Sequence, residues 1–211
     1  MIQDGNVDRA RQLFRQASGT LDPARILANG SPTSTVSLLL VRVLPDDFVQ
    51  ALARFPLSAA GGDAAGYYLT RAECYRSTND APRARAYFDS ARVVLEAELA
   101  AQSSTASVQW PREVPLALAY LGLGRKADAI RLGREAAERF PVARDGLVGP
   151  DVLLTLAAIY VGAGEYDAAL DQLEHLLSIP SPVSSGLLLV DPLYAPLRGN
   201  PRFERLVRQG T

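Results

Sequence analysis

Tyr75, Tyr120 and Tyr160 occupy one local frame: an alanine stands three residues before each (Ala72, Ala117, Ala157) and another nine residues after each (Ala84, Ala129, Ala169). The frame recurs at intervals of 45 and then 40 residues. A recurrence of that length marks a repeated supersecondary unit, which must stack on its neighbours to bury its apolar face. The last copy shows what the unit contains. Leu153, Leu156, Ala157 and Tyr160 fall at helical spacing, Gly162 and Gly164 interrupt, and Tyr166, Ala169, Leu173 and Leu176 resume the period. This is the pattern of a helix, a tight turn and a second, antiparallel helix.

The middle copy repeats it with Leu116, Ala117, Tyr120, Gly122, Gly124, Ala129, Ala136 and a closing Pro141, and the first with Tyr68, Ala72, Tyr75, the turn Thr78-Asn79-Asp80, then Ala84, Phe88 and Ala91. The alanines have a mechanical reason. Where the two helices of a hairpin cross closely, Ala72, Ala117 and Ala157 must meet Ala84, Ala129 and Ala169, and a larger side chain at such a crossing costs about 1–3 kcal/mol through overpacking. Tyrosines and large aliphatics fill the wider gaps, including those between neighbouring hairpins.

These residues resemble the tetratricopeptide repeat over roughly Ala64 to Pro180. That resemblance implies an all-α fold, a right-handed α-solenoid of helical hairpins closed by a short-helix C-terminal cap. Some features depart from the family. Its usual period is about 34 residues, so the longer spacings imply extended loops around Gln102 to Gln109 and Val142 to Gly149. Gly133 stands where an aromatic is usual, and the first copy lacks the turn glycine. Trp110-Pro111 opens the middle copy and reads as packing between hairpins.

The chain divides into residues 1–63, a half-repeat with connecting helices; 64–180, three hairpins; and 181–211, a cap. Gly5, Val7, Ala10, Phe14 and Ala17 reproduce only the second helix of the unit. An uncovered half-hairpin implies either a covering segment or preceding repeats of a longer chain, and the second is the expectation. Asp22-Pro23, Val36 to Leu44, Asp46 to Phe55 and the loop Ala59 to Asp63 follow. Past Pro180, the pairs Ser181-Pro182, Asp191-Pro192 and Asn200-Pro201 each put a capping residue before a first-turn proline. The stretch from Asp191 to Phe203 resembles the closing segment of tetratricopeptide modules at the C-terminal end of multidomain bacterial signalling proteins, among them serine/threonine kinases and transcription regulators. It implies an accessory docking or sensing module whose catalytic part lies elsewhere.

Composition narrows the partners. With 22 Lys plus Arg against 23 Asp plus Glu and a net charge of -1, nothing attracts nucleic-acid phosphates or anionic membranes in bulk. The apolar stretch Val36 to Val41 is far short of the roughly 20 residues of a spanning helix, and a cytoplasmic location is the simplest expectation. One cysteine, Cys74, makes no internal disulfide and reads as a small buried hydrophobe. Gly122 to Ala127 matches a loose dinucleotide fingerprint, but a helix precedes it where a strand is required. His175 has no second histidine, so no metal or cofactor is expected. Arg131 with Glu135, Arg134 with Glu138 and Glu135 with Arg139 pair along one helix face. Asp46-Asp47 and Glu96/Glu98 point in different directions and make no acid/base couple. No enzyme is expected.

Stacked hairpins present their first helices as a concave face suited to a peptide or partner helix. Helical phase puts Leu69, Glu73 and Arg76, then Val114, Leu118 and Leu121, then Leu154, Ala158 and Val161 on that face. The expected function is noncatalytic protein–protein interaction, docking a protein or peptide partner or a regulatory or catalytic domain of the same full-length chain. The lysines and asparagines that clamp a peptide's terminal carboxylate in chaperone-binding members are missing. Two alternatives stand beside it. One is a sensor for a small hydrophobic ligand; the other is a scaffold in which residues 186 to 207 fill the groove and a homodimer forms through the N-terminal half-repeat.

Overall fold

A computed structural model describes residues 41–101 and 111–209, together with residues 9, 12 and 16; the half-repeat residues Gly5, Val7, Ala10, Phe14 and Ala17, the pair Asp22-Pro23, the loop Gln102 to Gln109 and Trp110 lie outside the described residues. The described residues are helical and include no strand. Residues 41–43 are helical and lead into α1 (Asp46–Ala53), a 3-10 turn at Leu57–Ala60, and three helix pairs: α2 (Ala64–Ser77) with α3 (Ala81–Ala101), α4 (Glu113–Gly122) with α5 (Lys126–Arg139), and α6 (Val148–Ala163) with α7 (Tyr166–Leu177). After α7 come α8 (Ser185–Val190), a 3-10 turn at Pro192–Leu197, and α9 (Pro201–Gln209).

Local chemistry fixes the starts and stops. Asp63 accepts from the Gly66 N–H at 2.8 Å and Asp80 from that of Arg83 at 3.2 Å, capping α2 and α3. Asp145 accepts from Leu147 and Val148 to open α6. Asp191 and Asn200 cap as their sequence suggests, accepting from Leu193 and Arg202. Ser181 starts no helix. Its hydroxyl instead donates to the Leu176 carbonyl at 2.7 Å, tying off α7, while Ser184 caps α8.

Connections of two or three residues return the chain within each pair, so the partners pack antiparallel. Contacts also join α2 to α4, α4 to α6, α3 to α4 and α5 to α6. Ala72, Ala117, Ala129, Ala157 and Ala169 are wholly inaccessible and Ala84 nearly so. The small-residue crossing expected from the sequence is therefore buried in all three pairs. The first glycine of each turn behaves differently from expectation. Gly122 and Gly162 are still helical; a Cβ on Gly122 would come within 2.4 Å of Phe88 Cδ2, and one on Gly162 within 2.7 Å of Leu121 Cδ2. They permit close helix approach. The break falls at Gly124 and Gly164, whose φ of 80° and 91° are left-handed. Asn79, at φ 59°, serves the first pair in the same way.

Two large apolar cores result. One joins α2, α3 and α4 through Leu69, Phe88, Leu95 and Leu116; the other joins α6 and α7 to the C-terminal segment through Leu156, Leu170, Tyr194, Leu197 and Phe203. Burying each such side chain contributes roughly 1.5–3 kcal/mol. Tyrosines link neighbouring pairs as well. Tyr120 donates to Glu96 of α3 at 2.8 Å, and Tyr160 accepts from Arg134 Nε of α5 at 2.8 Å.

Candidate functional site

The nine side chains expected on the first-helix face do not form an open surface. Leu69 is inaccessible, and Val114, Leu118, Leu154, Ala158 and Val161 are buried. Leu121, half-buried, lies over Gly162. Val114 packs with Ala136 and Val152 between the second and third pairs. Of the nine, Arg76 alone is exposed.

Part of the cover is the chain itself. After α7 the chain returns, and the turn Pro192–Leu197 packs on α6, placing Tyr194 and Leu197 in one core with Leu154 and Val161. Just before that turn the segment reaches the helical stretch 41–43 that precedes α1. Val190 and Leu187 pack with Val43, and Asp191 meets Arg42, 149 positions away.

That meeting is the most concentrated chemistry among the described residues. Arg42 Nη1 donates to Asp191 Oδ2 at 2.7 Å, with side-chain exposures of only 9% and 3%. Arg42 Nε lies 3.7 Å from Glu73 Oε2, too far for a hydrogen bond; it is buried without one. Arg76 grips the same Glu73 oxygen through Nη2 at 2.5 Å and Nε at 3.1 Å. Asp191 spends its other oxygen on the Leu193 N–H, at 2.9 Å.

Electrostatics follow from this geometry. Burial opposes the charge on Arg42, yet the Glu73 and Asp191 carboxylates more than offset it and hold the guanidinium above its ordinary value. Burial pushes the Asp191 carboxyl above its usual range, against the pull of Arg42. Burial likewise raises the Tyr194 phenol, with Asp191 adding to it. Two cations and two carboxylates are thus gathered where three stretches of chain meet, and removing one member leaves another uncompensated. Beside them opens a cleft of about 320 Å³ lined by Arg42, Glu73, Arg76, Ser77, Pro192 and Leu193. A second, of about 310 Å³, lies between α1 and Tyr75, Thr78 and Arg83.

Other residues weighed from the sequence fall into structural settings. Cys74 is buried and its thiol is pushed up to about 12, mainly by burial, so it carries no thiolate at neutral pH. His175 is exposed on α7. Glu96 turns to Arg92 and Tyr120 while Glu98 faces Arg112. Arg131 pairs with Glu135, but Arg134 reaches Tyr160 of α6 and Arg139 reaches Glu113 of α4, joining α5 to neighbouring helices where intrahelical partners were expected. Among the described residues no group of three or more His, Cys, Asp or Glu could hold a metal ion, and no helix is long and apolar enough to cross a membrane.

Sequence reasoning found Glu73 and Arg76 but missed Arg42 and Asp191 as partners. Both sit in short segments outside the repeats, and their pairing has no local signature. The usable hint was an arginine within the apolar stretch Val36 to Leu44, which demands a buried counter-charge. Comparison with protein-family models, with curated proteins and with solved structures finds no match in any of the three.

Proposed function

We propose that this chain is a noncatalytic docking module: a right-handed solenoid of tetratricopeptide-type hairpins, acting in signalling, whose first-helix face grips a polypeptide. The packing pattern supports the solenoid, since each first helix touches the next first helix and each second helix touches the first helix that follows it. The observation that carries the docking reading is residues 186–197 seated across the α6 face and fastened by Asp191 to Arg42 beside α2. A face that holds a short helical segment by an ion pair and buried aliphatics has the chemistry to hold another. Leu154, Val161 and their neighbours on α6 are then the floor of the site, reached when that segment moves. Arg76 and the adjoining cleft are the part already accessible.

A photoreactive side chain placed at Leu193, beside the cleft, tests this. In extract of the source cells it should join one discrete polypeptide, competed by unlabelled chain, whereas the same group at the exposed Arg131 on α5 should not. Equal labelling from both positions, or none from either, would reject the docking face.

A further inference from the structure

The covering segment is itself a description of the ligand. Equivalent positions of the three first helices change character along the face: Glu73, Leu118 and Ala158 stand two residues before the repeat tyrosine, and Arg76, Leu121 and Val161 one after it. One end is charged and the other apolar. Residues 186–197 match that gradient, with Asp191 at the Arg42–Glu73 end and Tyr194 and Leu197 against α6.

The match is incomplete at the charged end. Asp191 uses one donor of Arg42, while the buried Nε is left without a hydrogen bond and the 320 Å³ cleft opens beside it. The segment is also bracketed by polar anchors made outside it. Upstream, α7 is tied off by Ser181. Downstream, Arg202 holds α9 to α7 through Glu174 at 2.6 and 2.5 Å and Asp171 at 2.6 Å. A tethered occupant competes through its high effective concentration, which a free peptide of better fit can overcome.

Resting on the docking reading, we propose that the face selects acidic–aliphatic peptides, in which a carboxylate between aliphatic residues meets Arg42 and a proline turns the chain after it, and that such a peptide displaces residues 186–197.

The probe is a fluorescein-labelled peptide of residues 184–198, SSGLLLVDPLYAPLR, titrated into the full chain. Asp191→Asn in the protein loosens the resident segment but spares Arg42, so the peptide should bind that variant roughly tenfold or more tightly than it binds wild type, the factor set by one charge-assisted hydrogen bond. Changing the peptide's own aspartate to asparagine should cost a similar factor. Equal binding of the two peptides overturns the proposal, as does binding of neither while the variant keeps its helical melt. Dimerisation of the variant without peptide binding assigns the face to a second copy and overturns it too. If Asp191→Asn does not fold, wild type at millimolar peptide decides: faster amide exchange across 186–197 supports displacement, and unchanged exchange refutes it. A crosslinked partner with no carboxylate preference would defeat this inference and leave the docking reading standing; selective peptide binding with no cellular partner would do the reverse.

Discussion

The first and third helix pairs share a frame and differ in what covers them. In the third, α6 and α7 are sealed by Tyr194, Leu197 and Phe203 into a continuous apolar core. The first keeps Thr70 and Glu73 buried in α2, answers Glu73 with Arg42 and Arg76, and leaves clefts on two sides. Its Tyr75 stacks on Tyr87 at 5.4 Å with Arg83 over the ring, whereas Tyr120 and Tyr160 each hydrogen-bond to the preceding pair. The alanine crossing is constant and the outward face varies. The repeated positions build the buried crossing, and the positions the repeat leaves free set each pair apart.

The largest effect should come from Arg42→Ala. It strands buried Asp191 and removes one of the cations beside Glu73, and losing one member of a buried pair costs about 3–5 kcal/mol. Urea denaturation should show that loss, and the combined Arg42→Met, Asp191→Leu chain should recover much of it; no recovery would mean the ion pair is not what joins the two ends. At the apolar end, Leu197→Ala opens a cavity worth about 2–5 kcal/mol, measured the same way. A loss below that range would place Leu197 outside the core and erase the contrast between the pairs. Tyrosine hydroxyls sharpen the comparison further. Tyr120→Phe should cost about 1 kcal/mol for its bond to Glu96, while Tyr75→Phe, whose hydroxyl makes no hydrogen bond among the described residues, should be near neutral. Similar melting shifts in both would contradict the distinction.

The smallest effect concerns acid. Hydrogen bonding to Arg202 holds the Glu174 carboxyl below its ordinary value. A depressed folded-state value stabilises above the unfolded one and is lost as pH falls through the folded one, so α9 should loosen below the usual carboxylate range. Because Glu174 is 40% exposed, solvent screening limits this to about 0.5 kcal/mol or less. Arg202→Gln should flatten that acid limb.

Helix identity, the pairing of helices and the buried alanines were legible because they recur: three copies in one frame outvote local ambiguity. The distinct jobs of the two turn glycines were not, since close approach to Phe88 or Leu121 depends on which neighbour arrives. Ser181-Pro182 misled because its hydroxyl served the end of one helix instead of the start of another. The candidate site was half readable. Glu73 and Arg76 followed from helical phase, but burial of Leu69, Leu154 and Val161 could not be read from phase, which gives the direction of a side chain and not what lies over it.

The central claim is that Asp191 and Arg42 fasten the chain's own C-terminal segment across the first-helix face. A double-mutant cycle with Arg42→Ala, Asp191→Ala and both together measures it most directly. A coupling free energy of about 1.5 kcal/mol or more, in the range of close buried charge pairs, is the predicted result. Additive losses, with coupling near zero, would show that the two residues do not hold each other and would contradict the account.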